Sequence, residues 1–422
     1  ASQVISWGGT LYAARILAPA DYGVIAMAMV PVGLLRMIED FGFDTVLLQN
    51  RDLSDDQVAR LGGLALLFGA LLTACLALLG PVFAAFYGEP VVADVVAALS
   101  LLVLLDALQV VPRVRLQRDL DFFWLGAVYL MQTVAVTGTL IFLASGGAGL
   151  WALVINTIAG SAVATVALFV LRPFIPLWPG RLAGLRGPLL SGWRMLVSRA
   201  AYYANSNADQ LLAGRVLGKE ALGHYSFAMS IASLPVQEIT SLVSRVVPGI
   251  FSAAQDDRKL LLRYFLALTE AISYLAFPVS CGLALTASHV IAVALGPQWS
   301  DAVVPLQALS IYMALFAAQT LVSHVLLWTG HFRQVMWFSL LSLVVLPVGF
   351  LIGMRFGGLA GLAYAWSIAY PLSCLPAILY AKRLIKLRWA DYLNALLPAA
   401  TGCLVMAGAV IAVDALVSSG QG

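Results

Sequence analysis

Residues 61–86 read LGGLALLFGALLTACLALLGPVFAAF, 26 consecutive positions without a charged side chain. A helix crosses the roughly 30 Å of bilayer hydrocarbon with about 20 apolar residues, so this stretch is long enough to span a membrane. Gly88-Glu89-Pro90 closes it with turn chemistry. The same pattern of apolar run and short break predicts thirteen spans, near 1–18, 22–46, 60–86, 91–112, 122–145, 148–171, 187–214, 221–250, 260–287, 301–328, 333–355, 357–381 and 391–417. Breaks such as Ala18-Pro19-Ala20-Asp21, Gly146-Gly147 and Gly296-Pro297 leave no loop large enough for a soluble catalytic domain. Composition agrees, since 61% of the 422 residues are hydrophobic, only 11% are charged and the mean hydropathy is +0.93. A soluble domain carries about 25% charge to cover its surface. Unbroken Leu, Ala and Val runs also exclude a transmembrane barrel, whose strands alternate over about 10 residues. The expected fold class is therefore all-α, a polytopic membrane protein of about 13–14 helices.

Several function classes drop out. The only Gly-Lys pair, Gly218-Lys219, is followed by Glu220, so there is no phosphate-binding Walker loop. His224, His289, His324 and His331 lack metal-ligand spacing. Cys75, Cys281, Cys374 and Cys403 sit singly in apolar runs and read as small core residues. No cofactor, metal or nucleic-acid partner is expected. Asp119-Leu120-Asp121 resembles the DxD of sugar-nucleotide enzymes, but its neighbours Arg113, Arg115 and Arg118 favour an interfacial anchor.

Sixteen of the 24 Lys and Arg residues fall in loops after even-numbered spans, four in loops after odd-numbered spans and four inside spans. By the positive-inside rule the even loops and the N-terminus are cytoplasmic. The C-terminus is then external unless a fourteenth helix follows, and Ala1 already lies inside a helical pattern, so the natural start is expected upstream. Arg15–Met29 (RILAPADYGVIAMAM) aligns without gaps to Arg215–Met229 (RVLGKEALGHYSFAM), with five identities that include Gly23/Gly223. Ala148-Gly149-Leu150 matches Ala360-Gly361-Leu362 in the same way. Two six-helix lobes related by a parallel repeat are expected: 1–172 as an N-lobe, 173–186 as a cytoplasmic linker, 187–381 as a C-lobe and 382–422 as an appended thirteenth helix.

The informative residues are polar groups inside spans, because ionisable groups in hydrocarbon face protein or a water-filled cavity. Arg194, Ser198, Tyr202, Asn205 and Asp209 recur every three or four positions and share one helical face, flanked by Arg199, Tyr203, Ser206 and Gln210. This stripe lines a cavity or forms interhelical hydrogen bonds. Arg36 can meet Glu39 or Asp40 on its own helix, and the repeat-related span carries Gln237, Glu238 and Arg245. Arg36, Arg194, Arg199, Tyr202, Asn205, Asn207 and Arg245 are the candidate cavity residues. Glu39, Asp40, Asp209 and Glu238 are candidate coupling or charge-pair carboxylates, and Pro31 and Pro235 are candidate hinges. Asp106 and Glu270 have no local partner and read as structural.

Several motifs in order resemble one family: Arg15–Gly23 after the first helix, Gly42-Phe43, Leu116–Phe122, Gly147–Ala152, and Asn205–Asp209 followed by Leu217-Gly218 and Leu222–Tyr225. The chain is similar to bacterial polysaccharide transporters, the O-antigen and exopolysaccharide flippases of the multidrug/oligosaccharidyl-lipid/polysaccharide exporter superfamily. The resemblance covers nearly the whole chain. It implies a bacterial cytoplasmic-membrane flippase for undecaprenyl-diphosphate-linked oligosaccharide, working by alternating access, with no enzyme activity. It also implies membrane lipids around it and a polymerase and glycosyltransferases as pathway partners, with the protein itself a monomer. Two alternatives stand beside it. A multidrug or cation antiporter of the same superfamily would favour carboxylates over arginines in its pocket, and a membrane glycosyltransferase or polymerase would need long catalytic loops.

Overall fold

The computed structural model describes residues 2–39, 43–49, 53–178, 200, 203–254 and 257–419. Among these residues there is no strand. Helices α1 (Ser2–Ile16), α2 (Pro19–Glu39), α3 (Phe43–Gln49), α4 (Asp55–Tyr87), α5 (Val91–Leu99), α6 (Leu101–Arg118), α7 (Phe122–Ser145) and α8 (Leu150–Leu171) precede α9 (Ala208–Ala254). Then follow α10 (Arg258–Ala294), a 3-10 turn (Pro297–Ala302), α11 (Val303–Trp328), α12 (Phe332–Leu384) and α13 (Trp389–Ser419). Nine helical stretches among the described residues are long and apolar enough to cross a membrane. Their burial is inverted relative to a soluble core: only 17% of the apolar window of Asp55–Tyr87 is buried, and Leu78, Phe142 and Phe356 point outward. Such continuous apolar surface is stable only against lipid.

Local chemistry sets the breaks. Ser54 and Gln57 form a reciprocal capping box that opens α4, and Gly88, at φ 75°, closes it in the left-handed conformation. Asp257 accepts from the backbone N–H groups of Lys259 and Leu260 and so caps α10. The spans expected at 333–355 and 357–381 are the two halves of α12, broken only at Gly358 (φ 54°). In α9 the break is Gly218 (φ 85°), whereas Pro31 and Pro235 lie inside helices. Two span ends differ materially from expectation. The helix expected to stop near residue 287 continues to Ala294. The helix expected to stop near residue 112 continues to Arg118, because Pro112 costs one hydrogen bond without ending a helix whose neighbours hold it in place. Arg113 and Arg115 are therefore helix residues and not loop residues.

The contacts of the chain divide it into two compact units, Ala1–Gly223 and His224–Gly422. In the first, α1 packs on α7, α7 on α8, α6 on α4 and α8, and α2 on α4, α5, α6 and α8. Phe43, Leu47, Leu61, Val110, Val111 and Phe174 form an apolar cluster at the end where α2 and α6 finish. The segment 173–178 joins that cluster: Leu177 donates its N–H to Ala59 O at 3.1 Å. A Cβ on Gly63 would collide with the Leu177 carbonyl. At the opposite end the two copies of the repeat meet. A Cβ on Gly23 would land on the carbonyl oxygen of Lys219, and one on Gly223 on that of Pro19. Positions 19 and 23 thus face 223 and 219 reciprocally. Lys219 Nζ also pairs with Glu89 Oε2 at 2.8 Å. In the second unit, α10 packs on α11 and α13, and α11 on α12. Its interior is aromatic, with Trp366 Nε1 donating to the fully buried Tyr225 hydroxyl at 2.6 Å.

Candidate functional site

A cavity of about 390 Å³ opens in the first unit between α2, α3 and α6, lined by Gly33, Arg36, Met37, Glu39, Asp44, Asp106, Val110 and Arg113. Helical spacing places its walls: Gly33, Arg36 and Met37 share one face of α2, and Asp106, Val110 and Arg113 one face of α6. Arg36 Nε donates to Asp106 Oδ2 at 2.6 Å. Asp106, which has no local partner in the sequence, thus has one across helices. Its partner lies 70 residues earlier. Arg36 is 17 positions from the start of α2 and Asp106 is 15 positions from the start of α5. At 1.5 Å per residue both sit about 22–26 Å along neighbouring helices, so a count of depth along each span would have paired them. Glu39, on the next turn of α2, is buried.

Arg113 falls outside the expected cavity set because the expected span stops at 112, one residue before it and six before the helix ends. Its Nη2 donates to Gln109 Oε1 at 2.9 Å. Gln109 is 4% exposed, and its Nε2 faces α8, 3.1 Å from Ser161 Oγ, 3.0 Å from Thr165 Oγ1 and 3.3 Å from the Ser161 carbonyl. A Gln followed four positions later by Arg was the signal available in the sequence.

The expected cavity residues Arg194, Arg199 and Tyr202 and the expected coupling carboxylate Asp40 lie outside the described residues. Tyr203, one position from the expected Tyr202, donates its hydroxyl to Met29 O at 3.2 Å and lies where a Gly33 Cβ would be. It thus closes on α2 beside the cavity. Asn207 Nδ2 donates to Tyr203 O at 2.9 Å, a bond within its own helical turn. Asn205 is half-buried with its Oδ1 enclosed, and Asp209 is buried. Glu238 and Arg245 are exposed residues of the second unit. The Asp119 and Asp121 carboxylates both bind Arg172, at 2.8 and 3.0 Å, which ties the α6–α7 turn to the end of α8. No group of three His, Cys, Asp or Glu side chains among the described residues converges as metal ligands.

A charged cavity inside an apolar helical unit is the architecture of a carrier of polar cargo. The family model described as "Polysaccharide biosynthesis protein" matches residues 13–304. This chain belongs to that family. Among polysaccharide biosynthesis proteins it is 25% identical over 364 residues to the teichuronic acid biosynthesis protein TuaB of Bacillus subtilis (strain 168), covering 86% of this chain and 75% of TuaB. It is 25% identical over 310 residues to the lipopolysaccharide biosynthesis protein WzxC of Escherichia coli (strain K12), covering 71% of this chain and 61% of WzxC. In fold, this polysaccharide biosynthesis protein is similar to a solved inward closed conformation of the lipid II flippase MurJ. That likeness has a TM-score of 0.76 at 14% identity, over 96% of this chain and 90% of the other. An inward-facing multidrug resistance MATE family transporter of the MOP superfamily gives 0.71 at 12% identity, over 92% and 95%.

Proposed function

We propose that this polysaccharide biosynthesis protein is a flippase that carries an undecaprenyl-diphosphate-linked oligosaccharide from the cytoplasmic to the outer face of a bacterial cytoplasmic membrane by alternating access. The observation that carries the reading is the cavity walled by Arg36, Asp106 and Arg113 within a lipid-facing helical unit. Such a site can receive a polar headgroup while the tail stays in lipid. The names of TuaB and WzxC support the substrate class, and the MurJ likeness supports the fold that the task needs. In this reading the N-terminus is cytoplasmic and the protein acts as a monomer, supplied by glycosyltransferases and feeding a polymerase, with no enzyme activity of its own. Arg36, Arg194, Arg199, Tyr202, Asn205, Asn207 and Arg245 contact the headgroup along its path. Glu39, Asp40, Asp209 and Glu238 serve coupling or charge balance, while Pro31 and Pro235 give the helices their play. Arginine suits the diphosphate because its planar fork binds two oxygens at once.

The test is movement of a fluorescent lipid-linked oligosaccharide across proteoliposomes, read by protection from a membrane-impermeant quencher. Protein-dependent movement is expected. In cells, loss of the protein should leave the oligosaccharide made but confined to the cytoplasmic face. Absence of the oligosaccharide itself would indicate an enzyme. A second reading, cation antiport, is favoured by one observation: the cavity carries three carboxylates, Glu39, Asp44 and Asp106, against two arginines. Efflux of a lipophilic cation driven by a proton or sodium gradient, with no movement of the oligosaccharide, would select it.

A further inference from the structure

Arg36, Arg60, Arg115 and Arg172 each face a carboxylate in the first unit. Arg113 faces a neutral amide, and it makes no ion pair among the described residues. The orientation of that amide is forced. Arginine only donates and the Ser161 carbonyl only accepts, so the Gln109 oxygen must turn to Arg113 and its NH₂ to α8. Thr165 Oγ1 donates to the same Ser161 carbonyl at 2.8 Å, which fixes the hydroxyl that receives the amide. The result is a guanidinium held in place by a buried neutral partner, with its full charge retained. Of the cavity residues on α6, Arg113 stands nearest the helix end, about 10 Å along the helix from Asp106. A headgroup entering past Arg118 would reach it before the Arg36–Asp106 pair.

We propose that Arg113 is the first cation to receive the phosphate of an incoming lipid-linked headgroup, and that Gln109 is its positioning residue, which aims the guanidinium without cancelling its charge. This rests on the flippase reading and names the atoms that would begin it. Arg36 in the same cavity is neutralised by Asp106, so among the described cavity residues the guanidinium open to an anion is that of Arg113.

The full chain, purified in detergent, is titrated with farnesyl diphosphate and separately with farnesol, while thermal unfolding is followed in parallel. Gln109→Glu places a carboxylate on Arg113 and turns its second oxygen toward α8, where the Ser161 hydroxyl can donate to it while the Ser161 carbonyl loses the amide N–H. It should lower the unfolding midpoint modestly, as Gln109→Met does by losing the same donor, and weaken farnesyl diphosphate binding by roughly 10- to 100-fold, the range for a lost charge-assisted contact. Gln109→Met keeps Arg113 charged but releases it, and should cost only about threefold. Arg113→Gln should match Gln109→Glu, and Arg113→Lys should recover part of the loss. Equal affinity in the wild type, Gln109→Glu and Arg113→Gln overturns the proposal and leaves the flippase reading standing. Wild-type binding that does not distinguish the diphosphate from farnesol overturns both.

Discussion

Breaking the Arg36–Asp106 pair should destabilise the first unit asymmetrically. At 2.6 Å and an effective dielectric constant near 20, the gross attraction is about 6 kcal/mol. Most of this is offset by the cost of removing both charges from water. The side chains are 36% and 18% exposed, so the mean loss over the two single variants falls below the 3–5 kcal/mol typical of full burial, at about 2 kcal/mol. Arg36→Gln leaves Asp106 in a cavity that already holds Glu39 and Asp44, so it should cost more, about 3 kcal/mol. Asp106→Asn leaves a guanidinium that can still donate to the amide oxygen and should cost about 1 kcal/mol. The double variant Arg36→Gln/Asp106→Asn should recover at least 1 kcal/mol of the summed losses. Thermal unfolding in detergent, followed by monodispersity on size exclusion, measures all four corners of the cycle. Additive effects, with coupling below about 0.5 kcal/mol, would falsify the claim that this pair organises the cavity.

Gly23→Ala and Gly223→Ala should each cost about 2 kcal/mol because a methyl must displace a backbone carbonyl. The double variant should cost little more than one, since the first change already separates the strands of chain, and unfolding midpoints will show it. Trp366→Phe removes the donor to the buried Tyr225 hydroxyl and should cost about 1–3 kcal/mol. Adding Tyr225→Phe should restore part of that loss, as measured by the same midpoints. A reporter fused after Arg383 should read cytoplasmic and one after Gly147 external; the reverse would invert the direction of transport.

The helices were legible because hydrocarbon imposes long charge-free runs, and stretches such as 61–86 have no other stable use. The hairpin glycines were also legible, as Gly88, Gly147 and Gly296 carry backbone angles that other residues resist, whereas Gly358 fell inside an expected span. The cavity was only half legible. Arg36 is legible as an intramembrane charge, but the pairing with Asp106 is not, because the two are near only where α2 and α6 pack side by side; the expected partner Asp40 lies outside the described residues. Gln109 gave no signal alone, since burial and amide orientation are products of packing against Ser161 and Thr165. Arg113 was obscured by Pro112, which reads as a stop in water-soluble helices and not in this one.

The crossing at Gly23 and Gly223 has the symmetry of a dimer seam. A contact in which position 19 meets 223 while 219 meets 23 is isologous: one patch serves both sides, as across the twofold axis of a homodimer. Carried in one chain, such a pairing is intramolecular and independent of concentration. Val236 stands 200 positions after Arg36, so the ion pair in the cavity belongs to one copy of the repeat, while the glycine crossing is shared by both.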